Sequence, residues 1–143
     1  MKTMKYVLSL LMIFMLVGCG NDEPKEEKEE KDLSTVPIYQ TMWEGTFIGR
    51  AGKNPQAIKL QFELQSYGML LYSSDNDNKF DSKNSFQYYR NGQVLTIVGV
   101  GGDWWNDKSG EWWIMSYDGT HMTLTTDPGS TTELTMKLTR VFE

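Results

Sequence analysis

The chain has 143 residues, with 14 Lys and Arg against 19 Asp and Glu, giving a formal net charge of −5. Its basic residues form no cluster, which argues against nucleic acid as a partner. The single cysteine and single histidine argue against a disulfide framework and against a zinc or copper centre built on imidazoles.

The first predicted element is a signal segment. Lys2 and Lys5 precede an apolar run from Tyr6 to Val17. That run is shorter than the about 20 apolar residues needed to cross a bilayer, and it has the charged start and short greasy core of a secretory signal. Leu16-Val17-Gly18-Cys19 closes it and resembles the lipobox of bacterial lipoproteins. The resemblance implies cleavage before Cys19 and lipidation of Cys19 with acyl chains such as palmitate. An ordinary secretion signal with a chance cysteine is the alternative. Gly20 follows, where an Asp often retains lipoproteins at the inner membrane, so the expected location is the outer membrane of a Gram-negative bacterium.

Residues 21–32 carry seven acids and three lysines, with Pro24 the sole apolar residue. Such a segment buries too little surface to offset chain entropy and reads as a flexible tether. Its acidic cluster resembles the surface-export signal of some Gram-negative lipoproteins, and a plain solvated spacer explains it equally well. The organisation expected is therefore a signal peptide over 1–18, a lipidated cysteine with an acidic tether over 19–38, and a barrel domain over 39–143. One core suits that length.

From Thr41 onward the chain reads as successive strands between turn residues. The first is expected over 41–50. The second, 57–65, alternates Ile58, Leu60, Phe62 and Leu64 with Lys59, Gln61 and Glu63, the mark of a sheet with one face in water. A turn at Ser66-Tyr67-Gly68 leads to the third, 69–73. A polar loop separates it from the fourth, 85–90, which meets the fifth, 93–98, across Asn91-Gly92. Asn-Gly between apolar runs is a strong hairpin signal. Beyond a glycine-rich loop come the sixth, 111–117, and the seventh, 122–126, joined at Asp118-Gly119. The eighth, 132–142, follows Asp127-Pro128-Gly129-Ser130. No window has a helical period.

Eight short strands joined mostly by tight turns predict an all-β, antiparallel up-and-down barrel, because closure removes exposed edges. A two-sheet sandwich, the main rival, needs longer crossovers. Trp43-Glu44-Gly45-Thr46-Phe47 on the first strand and Leu138-Thr139-Arg140-Val141 on the last resemble the lipocalin-like lipoprotein families. The resemblance pairs Trp43 with Arg140 as a structural plug, the indole packing under the guanidinium at the barrel end. It departs from the usual pattern in that glycine follows the tryptophan, and no flanking helix is evident.

Candidate chemistry is thin. Asp75-Asn76-Asp77-Asn78-Lys79-Phe80-Asp81 resembles the start of a calcium loop, but Lys79, Phe80 and Phe86 stand at its fifth, sixth and twelfth positions, where calcium needs an oxygen ligand, a glycine and a glutamate. A solvated loop fits better. No serine lies in a nucleophile-elbow motif, and no cofactor motif is present. The reading is of a non-enzymatic protein without cofactor or metal.

The aromatic cluster remains. Trp104-Trp105 and Trp112-Trp113 bracket a short loop, and strand alternation turns one member of a pair outward. With Tyr88 they are the candidate ligand-binding residues; packing beneath loops explains them too. Two functions fit. One is a membrane-anchored barrel that binds a small apolar or amphipathic ligand. The other is a surface module that contacts glycan or protein through exposed tryptophans and carries no internal ligand.

Overall fold

The computed structural model describes residues 31–49, 52, 55–73, 77–100 and 108–142. Eight strands follow in chain order: β1 Thr41–Ile48, β2 Gln56–Leu64, β3 Tyr67–Tyr72, β4 Ser82–Asn91, β5 Val94–Val100, β6 Gly110–Tyr117, β7 His121–Thr125 and β8 Thr135–Val141. Each pairs antiparallel with its chain neighbours, and β1 also pairs with β8. The sheet is thus a closed up-and-down barrel of eight strands. The seam excludes the sandwich, since no strand is left with an open edge.

Alternation places one row of each strand inside. Ile58, Leu60 and Phe62 of β2 are buried, while Lys59, Gln61 and Glu63 face outward. Trp43 and Phe47 of β1, Phe86 and Tyr88 of β4, Trp112 and Ile114 of β6, and Met136 and Leu138 of β8 complete the same interior. The last pair of tryptophans splits by this parity. Trp112 pairs with inward Leu95 and is fully buried, whereas Trp113 pairs with Val94 on the outside.

Several boundaries differ from those expected, each for a local reason. β3 begins at Tyr67, because Leu64 already pairs with Tyr67 and the turn is Gln65-Ser66. Asn91 pairs with Val94, so the β4–β5 turn is Gly92-Gln93, with Gly92 at φ +59° in the conformation that glycine adopts without steric cost. β4 starts three residues early, at Ser82, paired with Tyr72. β8 starts late, at Thr135, because residues 127–133 are occupied by a turn in which Ser130 N–H donates to the Asp127 carbonyl.

The end of the expected tether is also different. Leu33–Thr35 forms one 3-10 turn, capped by the Asp32 carboxylate, which accepts from Ser34 N–H at 2.9 Å. Val36 and Ile38 are then buried with the barrel core. The compact unit accordingly starts at Asp32, not Tyr39.

Two glycines are required by close approach. A Cβ on Gly45 would stand 1.9 Å from the Lys137 carbonyl oxygen, across the β1–β8 seam. At Gly68 it would meet the Phe86 ring at 2.4 Å.

Candidate functional site

Alternating strand direction gives the barrel two unlike ends. The near end is where the chain enters β1, and it carries the short β2–β3, β4–β5 and β6–β7 turns. The far end carries the other connections.

The lumen between them is packed with rings. Phe62 meets Phe86 and Tyr88 edge-on at 5.5 and 4.9 Å between centroids, and Phe47 meets Trp112 at 6.3 Å. T-shaped contacts of this kind add about 0.5–1.5 kcal/mol beyond simple burial. Among the described residues the interior holds six large rings.

Trp43 lies at the near end of this packing. Its indole N–H donates to Thr41 Oγ1 at 2.8 Å, and the Thr41 hydroxyl donates in turn to the Ile38 carbonyl. Arg140 is its register partner on β8, with the guanidinium carbon 6.0 Å from the Trp43 ring centroid and 5.0 Å from that of Phe142. A cation over an indole at that distance contributes about 0.5–2 kcal/mol. The pair brings together the two residues that the motif singled out.

Arg90 and Tyr39 carried no motif, yet they build the near-end site. Arg90 donates through Nε to the Gly92 carbonyl at 2.8 Å, and its two terminal nitrogens donate to the Val36 and Leu33 carbonyls. One side chain thus ties the lead-in segment to the β4–β5 turn. Burial draws the guanidinium below its ordinary value, with Asp32 opposing the shift. Beside this staple runs a groove of about 630 Å3, lined by Pro37, Tyr39, Gln65, Ser66, Tyr88 and Tyr89 among others. The Tyr88 hydroxyl donates to the Leu64 carbonyl at 2.7 Å, so that ring forms a fixed wall, and burial pushes its ionisation upward. Tyr39 and Tyr89 are more than half exposed.

The other candidates separate. Trp112 is a core residue: its ring is sealed and its N–H donates to the Lys108 carbonyl at 2.8 Å, so it reaches none of the grooves described here. Trp113 is 36% exposed on the outer face. Trp104 and Trp105 lie outside the described residues, as does Cys19. At the far end Lys108, itself buried, sets its ammonium 4.2 Å from the Phe47 centroid.

Two polar clusters serve their own turns. Asp118 accepts from Thr120 N–H, His121 N–H and His121 Nδ1, and these bonds, the His121 backbone foremost, hold its carboxyl well below the usual range. In the calcium-like loop Asp77 accepts from Ser73 Oγ at 2.7 Å and pairs with Lys79. Its oxygens are engaged within the loop.

No protein-family model matches the chain, and no curated protein matches it. Among solved structures, japanin from Rhipicephalus appendiculatus, in a crystal form bound to cholesterol, is similar at 14% identity and a TM-score of 0.46, over 71% of this chain and 75% of that one. The barrel assignment for the present chain rests on its own strand order and closed seam.

Proposed function

We propose that the protein is a lipid-anchored lipoprotein of the outer membrane whose barrel binds a small amphipathic ligand in the near-end groove, outside the lumen. One observation carries the relocation of the site: the lumen is filled by interlocked rings, while the largest groove described opens beside Tyr39, Tyr88 and Tyr89. Its volume lies in the ligand range of about 300–1,000 Å3, and apolar walls with a few polar groups are what such sites use. Pro37 and the tyrosine rings would take a flat apolar body, and Gln65 and Ser66 would bind a polar head. The anchor rests on the lipobox-like residues ending at Cys19.

Two measurements test the two halves. Cells fed labelled palmitate are expected to label the protein and not its Cys19→Ala variant; an unlabelled wild type would end the lipoprotein reading. Anilinonaphthalene sulfonate, an amphipathic anion, is expected to bind the mature chain saturably. Tyr39→Ala combined with Ser66→Trp should weaken it by about tenfold, or about 1.4 kcal/mol. Phe142→Glu, outside the groove, should leave it unchanged. Binding indifferent to the double substitution would place the ligand elsewhere.

Trp113, outward beside Val94, favours a second reading in which glycan or protein is held on the β5–β6 face.

A further inference from the structure

The exposed apolar side chains are not spread evenly over the barrel. β2, β4, β6 and β8 all run toward the near end, and each presents a large exposed apolar residue there. Leu64 is the last residue of β2 and Phe142 follows the last residue of β8; they are 61% and 69% exposed. Tyr89 and Met115 stand two residues from the ends of β4 and β6, 56% and 45% exposed. Tyr39 joins them from the lead-in segment, and Trp113 is level with the β4–β5 turn through its pairing with Val94. Among the described residues, Val98 is the one large exposed apolar side chain outside this set.

These residues form a ring around one mouth of the barrel, not a patch on one wall. Two grooves trace its continuity. One brings Phe142 beside Gln40, Met42 and Glu63; the other brings Tyr39 beside Gln65 and Tyr89. A ring of apolar tips around a cylinder's end is complementary to a flat surface. Aromatic residues with a polar tip, such as Tyr and Trp, favour the boundary between water and hydrocarbon. Charged side chains occur at both ends, and Glu63 lies beside Phe142 in the first of these grooves. The far-end connections carry Asp77, Lys79 and Asp81 between β3 and β4, and Asp127 and Glu133 between β7 and β8. Arg90 and Arg140 at the near end are turned to the lead-in carbonyls and to the Trp43 and Phe142 rings, and Asp118 is tied within its own turn.

We infer that the near end is a membrane-docking face, and that its occupant is the lipid surface to which the chain is anchored. The inference rests on the proposed anchor for its choice of lipid over other flat partners. Cys19 precedes Asp32 by thirteen residues, and Asp32 enters the barrel at this same end. At about 3.5 Å per residue the intervening chain reaches at most about 45 Å, so the acylated cysteine keeps the ring within reach of the headgroups. The ring adds a second, reversible contact, as single weak membrane signals do when combined. Docking also turns the ligand groove, which shares Tyr39 and Tyr89 with the ring, toward the lipid phase.

The test uses the mature chain with Cys19→Ser, so that no acyl chain contributes, and vesicles of phosphatidylethanolamine with phosphatidylglycerol. The unlipidated chain is expected to float with the vesicles. Leu64→Glu, Met115→Glu and Phe142→Glu together are expected to cut the floated fraction by about tenfold or more, with the sheet spectrum retained. Val98→Glu should leave flotation unchanged. Failure of the unlipidated chain to float, or equal losses from Val98→Glu and the ring substitutions, would overturn the inference. So would a concentration-dependent dimer abolished by the ring substitutions, which would assign the face to a second copy. None of these outcomes touches palmitate labelling or probe binding in the groove.

Discussion

Replacing Trp43 with alanine is expected to cost about 3–5 kcal/mol of folding stability, as truncation of a buried aromatic does. The indole is fully buried, its ring meets Tyr117 edge-on with the centroids 6.2 Å apart, and its N–H donates to the Thr41 oxygen. Removal therefore leaves a cavity and takes the donor from the Thr41 oxygen, whose hydroxyl still donates to the Ile38 carbonyl. Urea denaturation followed by circular dichroism measures the loss. Arg140→Ala should cost less, about 0.5–2 kcal/mol, because the partly exposed guanidinium contributes a cation–π contact over the ring and not a core volume. A Trp43→Ala loss below about 1 kcal/mol would show that the ring is not the plug of this barrel end.

Gly45→Ala is expected to be as damaging, about 3 kcal/mol or more, although it adds a single carbon. The new Cβ would overlap a backbone carbonyl of β8, an atom that cannot rotate away as a side chain can. The seam between β1 and β8 must then part, and that seam is what closes the barrel. Gly119→Ala is the control. Gly119 has φ +103° and open space around it, so its substitution carries only backbone strain, of about 1–2 kcal/mol. Equal losses at the two positions would mean that close packing at the seam is not what Gly45 provides.

These two residues show what one-dimensional pattern reveals. Trp43 is legible from its place in a motif. Gly45 stands in that motif only as the glycine that follows the tryptophan. Its necessity comes from Lys137, more than ninety residues away, whose carbonyl reaches it only when the barrel closes. Arg90 is similar. A polar residue before a turn suggests solvent, yet in the folded chain its donors hold the carbonyls of a segment more than fifty residues earlier. Val36 and Ile38 were hidden for another reason: two aliphatic residues either side of Pro37 give no period to read, and only the barrel end they cover makes them core.

Strand number, strand identity and antiparallel order were determined by the sequence alone, because period-two alternation and turn chemistry act between neighbours a few residues apart. The inside and outside of most strands followed from the same alternation. The tertiary structure decided the rest. Pairing of β5 with β6 put Trp112 inside and Trp113 outside; closure of β1 on β8 made Gly45 indispensable. The common direction of the even strands gathered Leu64, Tyr89, Met115 and Phe142 at one mouth. Such groupings depend on where distant segments meet in space, and no local spacing encodes that.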